Sequence, residues 1–135
     1  MQFVDANYVL RYLLNDDPIQ STIAKGIIEA NHVELPVEAL SEVVYVLNGR
    51  YGLSREQVCE TMKALIDESG IGINREKSIF AALTYYSESK LDFVDCLLAA
   101  RAIMENATIH TFDKKLRKFI DHERAIVPSS NGALS

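Results

Sequence analysis

Apolar runs of four to six residues, too short for helices, alternate along this chain with longer segments of helical spacing. That alternation constrains the fold more than any other feature. Strands separated by helices favour a mostly parallel sheet covered on both faces, the α/β class. Residues 1–5 read as the first strand and 33–37 as the second, ended by Pro36. Residues 70–73 allow a third, 107–112 a fourth, and Ala125-Ile126-Val127 a last one. Helices are expected over 7–14 with Asn7 as cap, and from Pro18 onward with Ile19, Ile23, Ala24, Ile27 and Ile28 inward. Further helices are expected over 38–50, from Ser54 with Val58, Met62, Leu65 and Ile66 inward, over 77–89 and over 93–106. A basic helical turn should follow residue 113.

A length of 135 residues suits one domain, expected over 1–128, with 129–135 as a frayed tail. No apolar run approaches the ~20 residues that span a bilayer, and no secretory signal pattern opens the chain. Cys59 and Cys96 lie in helical patterns without metal-ligand spacing, so both read as packed, reduced thiols of a cytoplasmic protein. A net charge of −5 argues against coating nucleic acid by charge alone. Positive charge is nonetheless concentrated at Lys114, Lys115, Arg117 and Lys118, directly after Asp113. That cluster is either a solvated helix face or a phosphate-holding patch.

Four acids carry the chemical interest: Asp5, Glu42, Asp95 and Asp113. Asp5 and Asp113 each follow an apolar run, at the carboxyl end of an expected strand, which is where open parallel sheets bind ligands. Taken singly, each could be an Asx-turn that ends a strand. Asp95 falls on the apolar side of its helix, beside Leu98, Ala99 and Ala102 and away from Arg101 and Glu105. A carboxylate there is costly unless paired, although Asp92-x-x-Asp95 also fits a helix cap with an acidic third residue. Glu42 flanks an apolar stripe of Leu40, Val43, Val44 and Leu47, and nothing local distinguishes it from a surface glutamate.

Carboxylates gathered at one sheet edge repel one another. A pair 4 Å apart costs ~1 kcal/mol in water and ~4 kcal/mol at an effective dielectric near 20. A divalent cation would relieve that cost, and oxygen-only donors suit Mg²⁺ or Mn²⁺ better than zinc. Neither a Gly-x-Ser-x-Gly turn nor a phosphate-cradling glycine loop occurs, and the three histidines are not spaced as a zinc set. Tyr45, Tyr85 and Tyr86 read as packing residues rather than base-stacking platforms.

Four segments in register resemble the PIN-domain ribonucleases, in particular the VapC-like toxins of toxin–antitoxin pairs. They are Phe3-Val4-Asp5-Ala6-Asn7-Tyr8-Val9-Leu10-Arg11-Tyr12-Leu13-Leu14, Ala39-Leu40-Ser41-Glu42-Val43-Val44-Tyr45, Leu91-Asp92-Phe93-Val94-Asp95-Cys96-Leu97-Leu98-Ala99-Ala100 and Ile109-His110-Thr111-Phe112-Asp113-Lys114-Lys115-Leu116. The resemblance implies a three-layer α/β/α sandwich about a mostly parallel sheet of about five strands. It implies a catalytic metal site of Asp5, Glu42, Asp95 and Asp113, supported by Asn7, Thr111 and Asp92, and it is what promotes Glu42. Mg²⁺- or Mn²⁺-dependent hydrolysis of RNA is expected, leaving a 5′-phosphate and a 3′-hydroxyl, with Arg11, Lys114, Lys115 and Lys118 as phosphate-holding candidates. A homodimer and a cognate antitoxin complete the expectation. Leu116 stands where some relatives carry a further acid or histidine, which leaves a second ion short of a ligand.

Two other readings share these residues. One is a catalytically idle PIN-like binding module; the other is a PIN ribonuclease of RNA processing that has no antitoxin. A signalling receiver domain would need paired early aspartates, a mid-chain phosphoacceptor and a late lysine, a layout this chain lacks.

Overall fold

In the computed structural model, which describes residues 1–126, two short strands pair in parallel. β1 (Gln2–Phe3) lies beside β2 (Val33–Glu34), with Gln2 opposite Val33 and Phe3 opposite Glu34. The Val4 N–H prolongs the pairing by donating to the Glu34 carbonyl at 3.0 Å. On the other side of β2, a single parallel bridge joins Glu34 to Gly72. A Cβ at residue 72 would come within 3.3 Å of the Glu34 Cγ, so glycine permits this close approach.

Among the described residues, seven helices surround the strands: α1 (Ala6–Leu14), α2 (Pro18–Ala30), α3 (Val37–Gly49), α4 (Arg55–Ser69), α5 (Glu76–Glu88), α6 (Phe93–Met104) and α7 (Lys114–Ile126). Local chemistry explains several of their starts. Pro18 occupies the first turn of α2 behind an Asp17 cap, and Ser54 and Gln57 form a reciprocal capping box at α4. Val58, Met62, Leu65 and Ile66 face inward from α4 as their spacing predicts. One contiguous core joins them to Val9, Leu40, Val43, Leu47, Leu83 and Ala99. Each fully buried branched side chain there contributes ~1.5–3 kcal/mol.

The structure departs from the sequence reading at definite places. Asp5, not Asn7, caps α1, and Asn7 lies exposed in its first turn. α2 buries Ser21, Ala24 and Ile28, while Ile19, Ile23 and Ile27 are exposed. On the buried face, the Ser21 hydroxyl donates to the Arg11 carbonyl of α1 at 2.8 Å. Tyr85 and Tyr86 are buried packing residues, but Tyr45 is 79% exposed.

The expected five-stranded sheet is not formed among the described residues. Residues 107–112 carry no strand pairing, and Phe112 is fully exposed. Arginine side chains of α7 engage two carbonyls of this segment. Arg117 donates to the Ile109 carbonyl at 2.5 Å, and Arg124 to that of Ala107 at 3.0 Å. Nor do Ala125 and Ile126 form a last strand, because α7 continues through them. Val127 and the expected tail over 129–135 lie outside the described residues.

Candidate active site

The four acids sit in three different electrostatic settings. Asp5 turns back onto its own helix, its Oδ1 accepting the Tyr8 N–H at 2.9 Å. Asp113 does the same for α7, its Oδ1 accepting from the N–H groups of Lys115 at 2.8 Å and Leu116 at 3.2 Å. The Asx-type alternative is therefore realised at both positions, which leaves each carboxylate one oxygen outside the cap. Glu42 is exposed on α3.

Asp95 is unlike the others. It is half-buried in the first turn of α6, and it accepts no hydrogen bond from the described residues. Asp92 occupies the cap position, yet its side chain makes no capping bond, so the pure capping alternative lacks its hydrogen bonds. Burial, then the charge of Asp113, then that of Asp92, hold the Asp95 carboxyl above its ordinary pKa. The charge of Asp113 is thus felt at Asp95, second to burial. The convergence expected of all four acids on one ion is not seen among the described residues. Among the described residues, no three His, Cys, Asp or Glu side chains stand close enough to hold one ion together. Carboxylate oxygens are donors that suit a hard divalent cation.

Beside Asp113 opens a shallow cleft whose walls include Thr111, Lys114, Arg117 and Lys118. The Thr111 Oγ1 accepts the Asp113 N–H at 3.0 Å and so shapes the turn before α7. Lys114, Lys115 and Lys118 are exposed, whereas Arg117 is occupied by Asp121 at 3.4 Å and by the Ile109 carbonyl. Arg11 is committed as well. Its guanidinium pairs with Asp16, to which Tyr51 also donates at 3.4 Å.

The α6 turn is held from outside by a residue that no sequence spacing singles out. Arg55 opens α4, donates from Nε to the Tyr86 carbonyl at 2.7 Å and from a terminal nitrogen to the Leu91 carbonyl, and lies 3.7 Å from the Tyr86 ring centre.

The PIN domain family matches residues 3–121. This chain belongs to that family. A similar relative is a VapC ribonuclease of Aquifex aeolicus (strain VF5), 24% identical over 106 residues that cover 76% of this chain and 78% of the relative. No solved structure matches the chain. The matched PIN segment runs from Phe3 to Asp121 and so takes in Asp5, Glu42, Asp95 and Asp113.

Proposed function

We propose that this PIN protein is a metal-dependent endoribonuclease, the toxin of a toxin–antitoxin pair. The observation that carries the reading is Asp95: a half-buried carboxylate with no donor among the described residues, pressed by burial and by the charges of Asp113 and Asp92, within a PIN domain. Unmatched negative charge of that kind is stabilised by a cation. The VapC ribonuclease similarity supplies the substrate class, RNA, and the expectation of an antitoxin partner.

Asp95 and Asp113 would hold Mg²⁺ or Mn²⁺, with Asp5 and Glu42 completing the ligation directly or through water. Asp5 and Asp113 can serve as caps and ligands at once, since capping occupies one oxygen of each. Asn7, Thr111 and Asp92 support the site. When bound, the ion supplies charge to offset the phosphate oxygens and lowers the pKa of attacking water. The chain's own groups do the rest. Lys114, Lys115 and Lys118 hold backbone phosphates next to the acids, and Arg11 joins them only by releasing Asp16. Products would carry a 5′-phosphate and a 3′-hydroxyl. The protein would act in the cytoplasm as a homodimer, and no helix among the described residues is long and apolar enough to cross a membrane.

Sequencing RNA ends after brief induced expression tests this reading, with Asp95→Asn as the inactive control. New ends bearing 5′-phosphate, absent from the control, are the expected result. A second reading is favoured by one observation, the absence of any three gathered ligands among the described residues. On that reading the domain is an idle binding module, and purified protein with Mg²⁺ would leave every RNA intact.

A further inference from the structure

Asp5 and Asp113 are aimed by bonds to their own helices, but Asp95 has none, so its direction follows from where the first turn of α6 sits. Arg55 bonds to the chain just before that turn. Of the two carbonyls it engages, that of Tyr86 lies in the last turn of α5 and that of Leu91 in the link to α6. The ring beneath its guanidinium continues the chain of contacts, because Tyr86 meets Phe93 edge-on at 5.8 Å and 87°. Phe93 is the first residue of α6, and both rings are buried. A planar guanidinium can fork to two carbonyls while lying flat on an aromatic face; a lysine ammonium cannot. Arg55 does not act on Asp95 by charge, since the Asp95 carboxyl responds to burial, Asp113 and Asp92.

We infer that Arg55 is a positioning residue of the acidic site: through Tyr86, Leu91 and Phe93 it fixes the α6 turn from which Asp95 is presented. The inference rests on Asp95 as an ion-holding group; groups bonded directly to a metal ligand are worth about 10–100-fold in metal affinity, and Arg55, one step further out, is set at the low end of that range. Its test compares Arg55→Ala, Arg55→Lys and Val58→Ala. Val58 is buried on the same helix and serves as a control for general loosening. Two quantities are measured below the unfolding range: hydrogen exchange at the amides of Leu91 and Cys96, and calorimetric affinity for Mn²⁺. Those amides bond to the Ser89 hydroxyl at 3.2 Å and the Asp92 carbonyl at 3.0 Å, so they report the turn itself.

Arg55→Ala should speed exchange at both amides and weaken Mn²⁺ binding about tenfold, while Val58→Ala lowers the melting temperature and changes neither. Should Arg55→Ala fail to fold, Arg55→Lys carries the same comparison, because it keeps the charge and loses the fork. Wild-type exchange and affinity in the Arg55 variant overturn the inference, as does equal weakening in Val58→Ala. If the unaltered protein takes up no Mn²⁺, the nuclease reading falls, and the exchange comparison alone decides the role of Arg55.

Discussion

Replacing Asp5 by asparagine and by alanine separates a helix cap from an ion-holding acid. The Asp5 Oδ1 accepts the Tyr8 N–H at 2.9 Å, satisfying one of the free donors at the start of α1. Asparagine keeps an accepting oxygen and caps as well as aspartate; alanine keeps none. Losing such a cap costs about 1 kcal/mol, whereas losing only the charge beside an exposed helix start costs about 0.3 kcal/mol. At about 2.1 cal/mol/K of unfolding entropy per residue, 1 kcal/mol corresponds to about 3–4 °C in a domain of this size. Asp5→Ala should therefore melt about 3–4 °C below the parent in the presence of chelator, and Asp5→Asn within about 1 °C of it. Cleavage of RNA with Mg²⁺ should fall in both variants alike, because an amide oxygen is a far poorer ligand for a hard cation than a carboxylate. The two readouts fail independently. Equal melting of the two variants refutes the capping argument, and full cleavage by Asp5→Asn refutes the ligand role.

Asp95→Asn is expected to raise the melting temperature in chelator, since it removes a charge that burial, Asp113 and Asp92 all oppose. The sign follows from the raised carboxyl. Its ionised form is penalised only in the folded state, so the gain is complete above the folded pKa and vanishes below the unfolded value near ~3.9. A fall in melting temperature at neutral pH would contradict the argument. Replacing Lys114 and Lys118 together by alanine should weaken binding of single-stranded RNA and reduce its logarithmic salt dependence by ~0.7 for each phosphate no longer neutralised; an unchanged slope removes these lysines from the interface. Cys59 and Cys96 should resist alkylation in the native protein, because both thiols are buried and burial pushes that of Cys96 up to about 11. Rapid labelling of Cys96 before unfolding would show that α6 opens.

Helices are the legible part of this chain because their signals are local. The Ser54–Gln57 pair and the inward stripe of α4 can be read within a single turn or two, and the structure contains both. The face of α2 misleads for the same reason. Ile19, Ile23 and Ile27 have helical spacing, but the stripe that packs inward is Ser21, Ala24 and Ile28, with Ser21 bonded to the Arg11 carbonyl of α1. Strand pairing is non-local, and an apolar run specifies no partner. Residues 107–112 show how that matters. Nothing in their own composition tells that arginines 117 and 124 on the following helix engage two of their carbonyls. A side chain that bonds a backbone group competes with the ladder that would otherwise claim it.

The acids divide along the same line. Asp5 and Asp113 end apolar runs, so their location can be read from position, and so can the Asx-type bonds they make. Asp95 stands out through helical periodicity, since a carboxylate on an apolar face is conspicuous without any partner being known. Glu42 is exposed and carries no local mark, so only family resemblance nominates it. Arg55 lies beyond reach for a further reason. Its bonds join the start of α4 to carbonyls of Tyr86 and Leu91, and a backbone carbonyl has no sequence signature. The residues that donate charge to a site are thus easier to find than those that aim it. Charge is a property of a residue, whereas aim depends on contacts between elements. That asymmetry makes Arg55, rather than a fifth acid, the position whose replacement says most about how this site is built.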